Sequence, residues 1–158
     1  MSVKVPPGVS SGNYITIRGA GHTGPRGGPS GDAIVVIDEE PHDIYERHGD
    51  DILYRLPMSF PQVALGDQVT VPTLDGPVKL KIPAGTQSGK LFRLRGKGMP
   101  HLRGMGAGDQ LVQVVVWTPG NLNSEEKALL EKFSKSQGGQ PPKPDRSFFE
   151  KLRETFGG

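Results

Sequence analysis

At 158 residues the chain has room for one ordinary domain or two small ones, and 23 glycines with 15 prolines against 34% hydrophobic residues exclude a helical bundle. The absence of cysteine excludes disulfides and thiolate metal sites, and no apolar run reaches the roughly 20 residues of a bilayer span. The net charge of +2 is unevenly spread: seven acids against Arg47 alone from Asp38 to Asp51, then seven bases and no acid from Gly76 to Gly108.

Short strands joined by Gly-rich loops accommodate so many turn-formers. The first is an alternating strand through Val3 and Val5 into the turn Pro6-Pro7-Gly8. Tyr14-Ile15-Thr16-Ile17-Arg18 is the next, and its period of two puts Ile15 and Ile17 on one face. A Gly-rich loop leads through Gly31-Asp32 into a β-branched strand over 33–38, a pattern that suits coverage on both sides. The acidic stretch follows, and Gly49-Asp50-Asp51 within it reads as a turn. Beyond it a strand runs from Ile52 to Phe60, turns at Leu65-Gly66-Asp67, resumes over Val69-Thr70-Val71 and turns again at Leu74-Asp75-Gly76. Val78 to Ile82 then enters the turn Pro83-Ala84-Gly85. In the next strand Phe92 and Leu94 share one face, with Arg93 and Arg95 on the other. A second Gly-rich loop and a strand from Gln110 to Trp117 complete the series.

That second series repeats the first. Val5-Pro6-Pro7-Gly8 realigns on Ile82-Pro83-Ala84-Gly85, an offset of 77 residues. Without a gap the same offset superposes Gly12 on Gly89, Arg18-Gly19 on Arg95-Gly96, Gly21 on Gly98, Arg26-Gly27 on Arg103-Gly104 and Gly31-Asp32 on Gly108-Asp109. Register held across two loops marks two copies of one supersecondary unit. First-copy equivalents of the strands at 52–60 and 69–71 would precede residue 1, so the first copy is expected to lack them.

After Pro119 the period changes. Asn123 or Ser124 can cap a helix with Glu125 and Glu126 in its first turn and an apolar face of Ala128, Leu129, Leu130 and Phe133. A Gly/Pro linker from Gln137 to Pro144 precedes a final helix, Arg146 to Phe156, with Phe148, Leu152 and Phe156 spaced i, i+4, i+8. The expected fold is mainly β: two tandem small β-sandwich domains, the first truncated, followed by short C-terminal helices. The expected divisions are residues 1–41, 42–120 and 121–158.

Several motifs resemble chemistry without its context. Gly19-Ala20-Gly21-His22-Thr23-Gly24 has the dinucleotide spacing, but Pro25, Gly27, Gly28 and Pro29 forbid the helix whose amides would hold a pyrophosphate. Gly85-Thr86-Gln87-Ser88-Gly89-Lys90 is one residue short of a P-loop, and Leu91 stands where Ser or Thr should bind magnesium. His22, His42, His48 and His101 lack metal-ligand spacing, and no catalytic constellation is apparent, so a binding module is expected rather than an enzyme. A nucleic-acid-binding β-sandwich is the rival, through Pro25-Arg26-Gly27-Gly28 and Leu102-Arg103-Gly104. Against it, Trp117, Phe92 and the tyrosines do not interleave with those bases as a stacking platform would.

Pro41-His42-Asp43-Ile44-Tyr45-Glu46-Arg47-His48-Gly49-Asp50-Asp51-Ile52 resembles the stretch that joins the two C-terminal β-domains of DnaJ-family co-chaperones. Val71 to Gly76, Lys81 to Lys90 and Phe92-Arg93-Leu94-Arg95-Gly96-Lys97-Gly98 are similar to that family's second domain, and Ser147 to Leu152 to the short terminal helix of bacterial members. The resemblance implies a horseshoe-shaped homodimer that holds unfolded clients in the cytoplasm and delivers them to a DnaK-type heat-shock ATPase. It implies a client groove on the first β-domain, with the aromatic position of the family's His-x-x-Phe motif carried to Tyr45, Ile44 beside it, and Val3 and Val5 along it. Dimerisation is assigned to Phe148, Phe149, Leu152 and Phe156 on the tail helix. The family's J-domain and its His-Pro-Asp tripeptide are not in this chain, nor is the Cys-rich zinc module of the larger class. No cofactor, membrane or nucleic acid is expected as a partner of these residues.

Overall fold

A computed structural model describes residues 2–156, which form a mainly β structure with helices at its C-terminal end. The strands are β1 (Tyr14–Ile17), β2 (Ala33–Val36), β3 (Tyr45–His48), β4 (Asp51–Ser59), β5 (Asp67–Val71), β6 (Val78–Ile82), β7 (Leu91–Leu94) and β8 (Gln110–Trp117). The helices are α1 (Phe60–Leu65), α2 (Ser124–Ser134) and α3 (Arg146–Phe156). β1 and β2 make an antiparallel pair, β5 and β6 another, and the remaining strands form a four-stranded sheet in the order β3-β4-β8-β7.

The 77-residue repeat reappears as hydrogen bonds. Gly21 N–H donates to the Gly31 carbonyl at 2.7 Å, and Gly98 N–H to that of Gly108 at 2.8 Å. Asp32 accepts from the Gly19 amide at 3.0 Å, and Asp109 from the Gly96 amide at 2.9 Å. Ile37 N–H donates to the Asn13 carbonyl at 2.8 Å, and Val114 N–H to that of Lys90 at 2.9 Å. Both copies therefore close their Gly-rich loops with the same side-chain and main-chain bonds. Gly19 and Gly96, both at φ +70°, supply the backbone that this closure needs.

The contacts divide the chain into two compact units, each drawing on both halves of the sequence. One comprises residues 1–54, 73–76 and 93–112. Its buried apolar residues are Ile52 and Val112, and it is closed by backbone contact: a Cβ on Gly108 would stand 2.1 Å from the Asp50 carbonyl oxygen. The other comprises residues 55–72, 77–92 and 113–158, with a core of Leu56, Met58, Val63, Val71, Ile82 and Val114. Full burial of each such side chain stabilises the fold by roughly 1.5–3 kcal/mol.

Four features depart from sequence expectation. The segment through Val3 and Val5 forms no strand, since its counterpart β6 is held by β5 and no equivalent of β5 pairs with it. Residues 60–65 form α1, whereas the sequence leads one to expect a strand as far as Phe60 and a turn at Leu65-Gly66-Asp67; Ser59 and Gln62 make a reciprocal capping box, with Pro61 in the first turn. Residues 137–139 of the linker make a 3-10 turn. On β2, Ile34 and Val36 are 66% and 68% exposed, so that strand is not covered on both sides.

Candidate functional site

Strand β3 positions the aromatic residue of the acidic stretch. A two-residue turn, with Gly49 at φ +62°, folds β3 back on β4, and the antiparallel register sets Tyr45 opposite Tyr54. Their rings lie 6.1 Å apart, and the His42 ring stands 5.0 Å from that of Tyr45. His42 Nδ1 accepts the backbone N–H groups of Ile44 at 3.2 Å and Tyr45 at 3.3 Å. The proton of a neutral imidazole is therefore on Nε2, and the ring is fixed beside the tyrosine. Desolvation, followed by the charge of a neighbouring Tyr54 phenolate, raises the Tyr45 phenol above its ordinary pKa. Tyr45 is consequently a neutral, half-buried aromatic at physiological pH. Ile44 is 49% exposed next to it in sequence, Val5 is 50% exposed and Val3 is half-buried.

Two residues along the same strand, Arg47 turns its guanidinium inward. Nε donates to the Gly49 carbonyl at 2.7 Å, Nη1 to the Val9 carbonyl at 2.7 Å and to the Glu39 carboxylate, and Nη2 to the Gly8 carbonyl at 3.3 Å. Gly8 is itself buried, and a Cβ there would stand 2.4 Å from the Pro100 carbonyl oxygen and 2.7 Å from the Leu102 nitrogen. The Pro6-Pro7-Gly8 turn is thus wedged against the Gly-rich loop of the second copy. His101 in that loop makes a 2.7 Å contact with Asp50, both side chains about 40% exposed.

Other features of this unit were not anticipated from sequence. The register Tyr14↔Val36 and Thr16↔Ile34 puts Tyr14, Ile34 and Val36 together on one face of the β1–β2 hairpin, each at least 66% exposed. Two of the bases in the second copy are engaged by carboxylates: Arg93 with Asp109 at 2.8 Å and Lys97 with Asp75 at 3.4 Å. Arg26, at φ +58°, is a non-glycine residue with positive φ, inside a 3-10 turn over Pro25–Gly27 that is no helix start for a phosphate. Among the described residues no group of three His, Cys, Asp or Glu side chains could hold a metal ion, and no helix is long and apolar enough to cross a membrane.

In the other unit, Asp145 caps α3 by accepting the Phe148 amide at 3.0 Å. That bond, with further help from Ser147, holds its carboxyl below the ordinary range. Phe149, Leu152 and Phe156 line one shallow surface of the helix, and the Phe148 and Phe149 rings meet edge to face at 5.4 Å. The Phe156 ring also lies against Gly89, where a Cβ would come within 2.3 Å, so this end of the stripe touches its own chain. A larger apolar groove of about 910 Å³ runs between Pro57–Pro61, Val116–Pro119 and α2, with Leu122, Leu129 and Leu130 on its walls. Trp117 on its wall is 71% exposed, and the Phe60 and Phe133 rings meet at a tilt with centroids 5.6 Å apart. The cues for this groove were present in the apolar face of α2, but nothing in sequence locates Trp117 and Phe60 opposite it.

Comparison with known proteins bears on this arrangement. The family model described as DnaJ C terminal domain matches residues 1–119. The chain is 52% identical over 158 residues to "Chaperone protein DnaJ" of Halalkalibacterium halodurans, covering all of this chain and 43% of that protein. Similar proteins of the same name occur in Shouchella clausii, 51% identical over 158 residues and 42% of its length, and Chlorobium limicola, 48% identical over 161 residues and 40% of its length. The chain thus spans about two fifths of the relatives it matches.

Proposed function

The chain belongs to the DnaJ C-terminal-domain family, and from that premise we propose that it is the client-binding and dimerising part of a DnaJ-type co-chaperone. In this reading residues 1–41 and 42–120 are the two C-terminal β-domains and 121–158 carry the helices of assembly. Unfolded polypeptides are held at Tyr45 and Ile44, with Val3 and Val5 alongside, and passed in the cytoplasm to a DnaK-type heat-shock ATPase. The observation that carries the reading is Tyr45: a neutral aromatic in ring contact with both His42 and Tyr54 yet only half-buried, beside an exposed isoleucine. Such a surface removes client Leu or Phe side chains from water at roughly 25 cal/mol per Å² and offers no bond that must be broken for release. Binding is then weak and exchangeable, as transfer to another chaperone demands. These residues act as a binding module without a cofactor; a zinc module of the whole protein would lie elsewhere.

Suppression of aggregation of an unfolded model protein tests this. Tyr45→Ala should weaken suppression, whereas Arg26→Ala and Arg103→Ala should leave it nearly unchanged. If the arginine changes dominate and the tyrosine change is silent, the nucleic-acid-like reading of the Gly-Arg loops takes its place.

Dimerisation we assign to α3, whose residues Phe148, Phe149, Leu152 and Phe156 offer an amphipathic stripe to a second copy. One observation favours a second surface: the apolar groove walled by Trp117, Leu122, Leu129 and Leu130 leaves Trp117 71% and Leu129 63% exposed, an area that a second copy would cover. A chain ending at Gly139 should sediment as a monomer if α3 carries the dimer. If it stays dimeric and Leu129→Asp with Leu130→Asp dissociates it, the groove is the interface.

A further inference from the structure

Arg47 lies outside the residues assigned to client contact, yet its charge is bonded on several sides. Its side chain is 19% exposed, and its guanidinium serves acceptors from three separate segments. The Gly8 and Val9 carbonyls belong to the turn that follows Val3 and Val5. Glu39 lies between β2 and β3. The Gly49 carbonyl closes the hairpin that presents Tyr45. Period-two geometry puts Tyr45 and Arg47 on the same side of β3. The segment bearing Val3 and Val5 forms no strand, so it gains no ladder of hydrogen bonds to hold it in place. The fork of Arg47 supplies directional bonds in their stead, and a planar guanidinium can address several carbonyls at once where an ammonium cannot.

We infer that Arg47 is a positioning residue for client binding: it holds the segment carrying Val3 and Val5 to the strand that presents Tyr45. This rests on the client-site reading, deepens it, and makes a separate demand. Client affinity depends on a residue that touches no client, because that residue joins the two lengths of chain on which the contacts lie.

The test uses the whole chain with a permanently unfolded probe, reduced and carboxymethylated α-lactalbumin, and compares Arg47→Met, Arg47→Lys, Glu39→Gln and Tyr45→Ala. Arg47→Met should bind the probe about tenfold more weakly, equivalent to about 1.4 kcal/mol. Arg47→Lys should recover part of the loss, since it restores the charge without the fork. Glu39→Gln keeps Arg47 but removes the carboxylate that shares Nη1 with the Val9 carbonyl and helps aim the guanidinium, and it should shift affinity in the same direction by a smaller factor. Amide exchange supplies the readout that a general loss of stability would not mimic. In Glu39→Gln and Arg47→Lys, exchange should quicken at Val5, Gly8 and Val9 while the Tyr45–Tyr54 hairpin stays protected. If Tyr45→Ala weakens binding but Arg47→Met, Arg47→Lys and Glu39→Gln all bind as wild type, the positioning role is overturned and the client site stands. If Tyr45→Ala itself binds as wild type, the client-site reading fails first. Should Arg47→Met unfold, the Lys and Glu39→Gln variants decide alone, and equal binding with unchanged exchange at Val5–Val9 overturns the inference.

Discussion

Gly8 and Gly12 have nearly the same backbone, φ +87° and φ +88°, but different surroundings. A Cβ on Gly8 would stand 2.4 Å from the Pro100 carbonyl oxygen and 2.7 Å from the Leu102 nitrogen, while one on Gly12 would meet nothing within 4 Å. Gly12→Ala should therefore cost only the left-handed conformation of an L-residue, about 1–2 kcal/mol. Gly8→Ala carries that cost and must also force main-chain atoms apart, adding about 1–3 kcal/mol of overpacking. Neither contact is the far end of a flexible side chain that could swing away. The gain from a stiffer unfolded chain is common to both variants and cancels in the comparison. With a urea dependence of about 2 kcal/mol per molar for a protein of this size, the Gly8→Ala midpoint should fall below that of Gly12→Ala by roughly 0.5–1.5 M. Far-UV circular dichroism across a urea titration measures both. Equal midpoints would refute the claim that the first copy's turn is wedged on the second copy's loop.

Asp109 offers a pH test. The Gly96 amide first, and the Arg93 guanidinium second, lower its carboxyl from the ordinary value of 3.8. A depressed carboxylate contributes stability that is present above the ordinary pKa and lost as pH falls through the lowered one. Exchange of the Gly96 amide, corrected for intrinsic rate, should thus rise as the solution is acidified below about pH 3.8, and Asp109→Asn should abolish that pH dependence; the same profile in both proteins would remove the carboxylate from the loop closure. For α2, Asn123 accepts the Glu126 amide at 2.8 Å and Glu126 returns a bond to the Asn123 amide at 2.9 Å. Asn123→Ala should cost about 1 kcal/mol and quicken exchange in the first turn of α2, and unchanged exchange there would deny the cap its role.

Much of this was legible in the chain because the repeat is written in glycines and aspartates whose roles are local. Gly19 with Asp32, and Gly96 with Asp109, reproduce one loop closure twice, and strands β1 and β7 start 77 residues apart, as do β2 and β8. The tail helix Arg146–Phe156 and the Asn123 cap follow from short-range pattern in the same way. Helix α1 was legible too, in Ser59-Phe60-Pro61-Gln62, but the apolar run leading into it reads as continuing strand. Arg47 was not legible. Two of its acceptors are the carbonyls of Gly8 and Val9, which any residue type could supply, nearly 40 positions away in sequence. The absent strand at Val3 and Val5 shows the converse: alternation favours a strand only where a partner edge exists to bond it.

In the proposed role, unfolded chains are held by apolar contact with Tyr45 at the start of β3 and Ile44 beside it. Equilibrium binding of a fluorescently labelled unfolded polypeptide, measured at low and at high salt, tests it most directly. The wild-type dissociation constant should change little with salt, and Tyr45→Ala should raise it roughly 5- to 150-fold, the equivalent of about 1–3 kcal/mol for one lost aromatic contact. An affinity that collapses with salt, survives Tyr45→Ala and is lost in Arg26→Ala with Arg103→Ala would contradict it, and would put the basic loops in place of the aromatic strand.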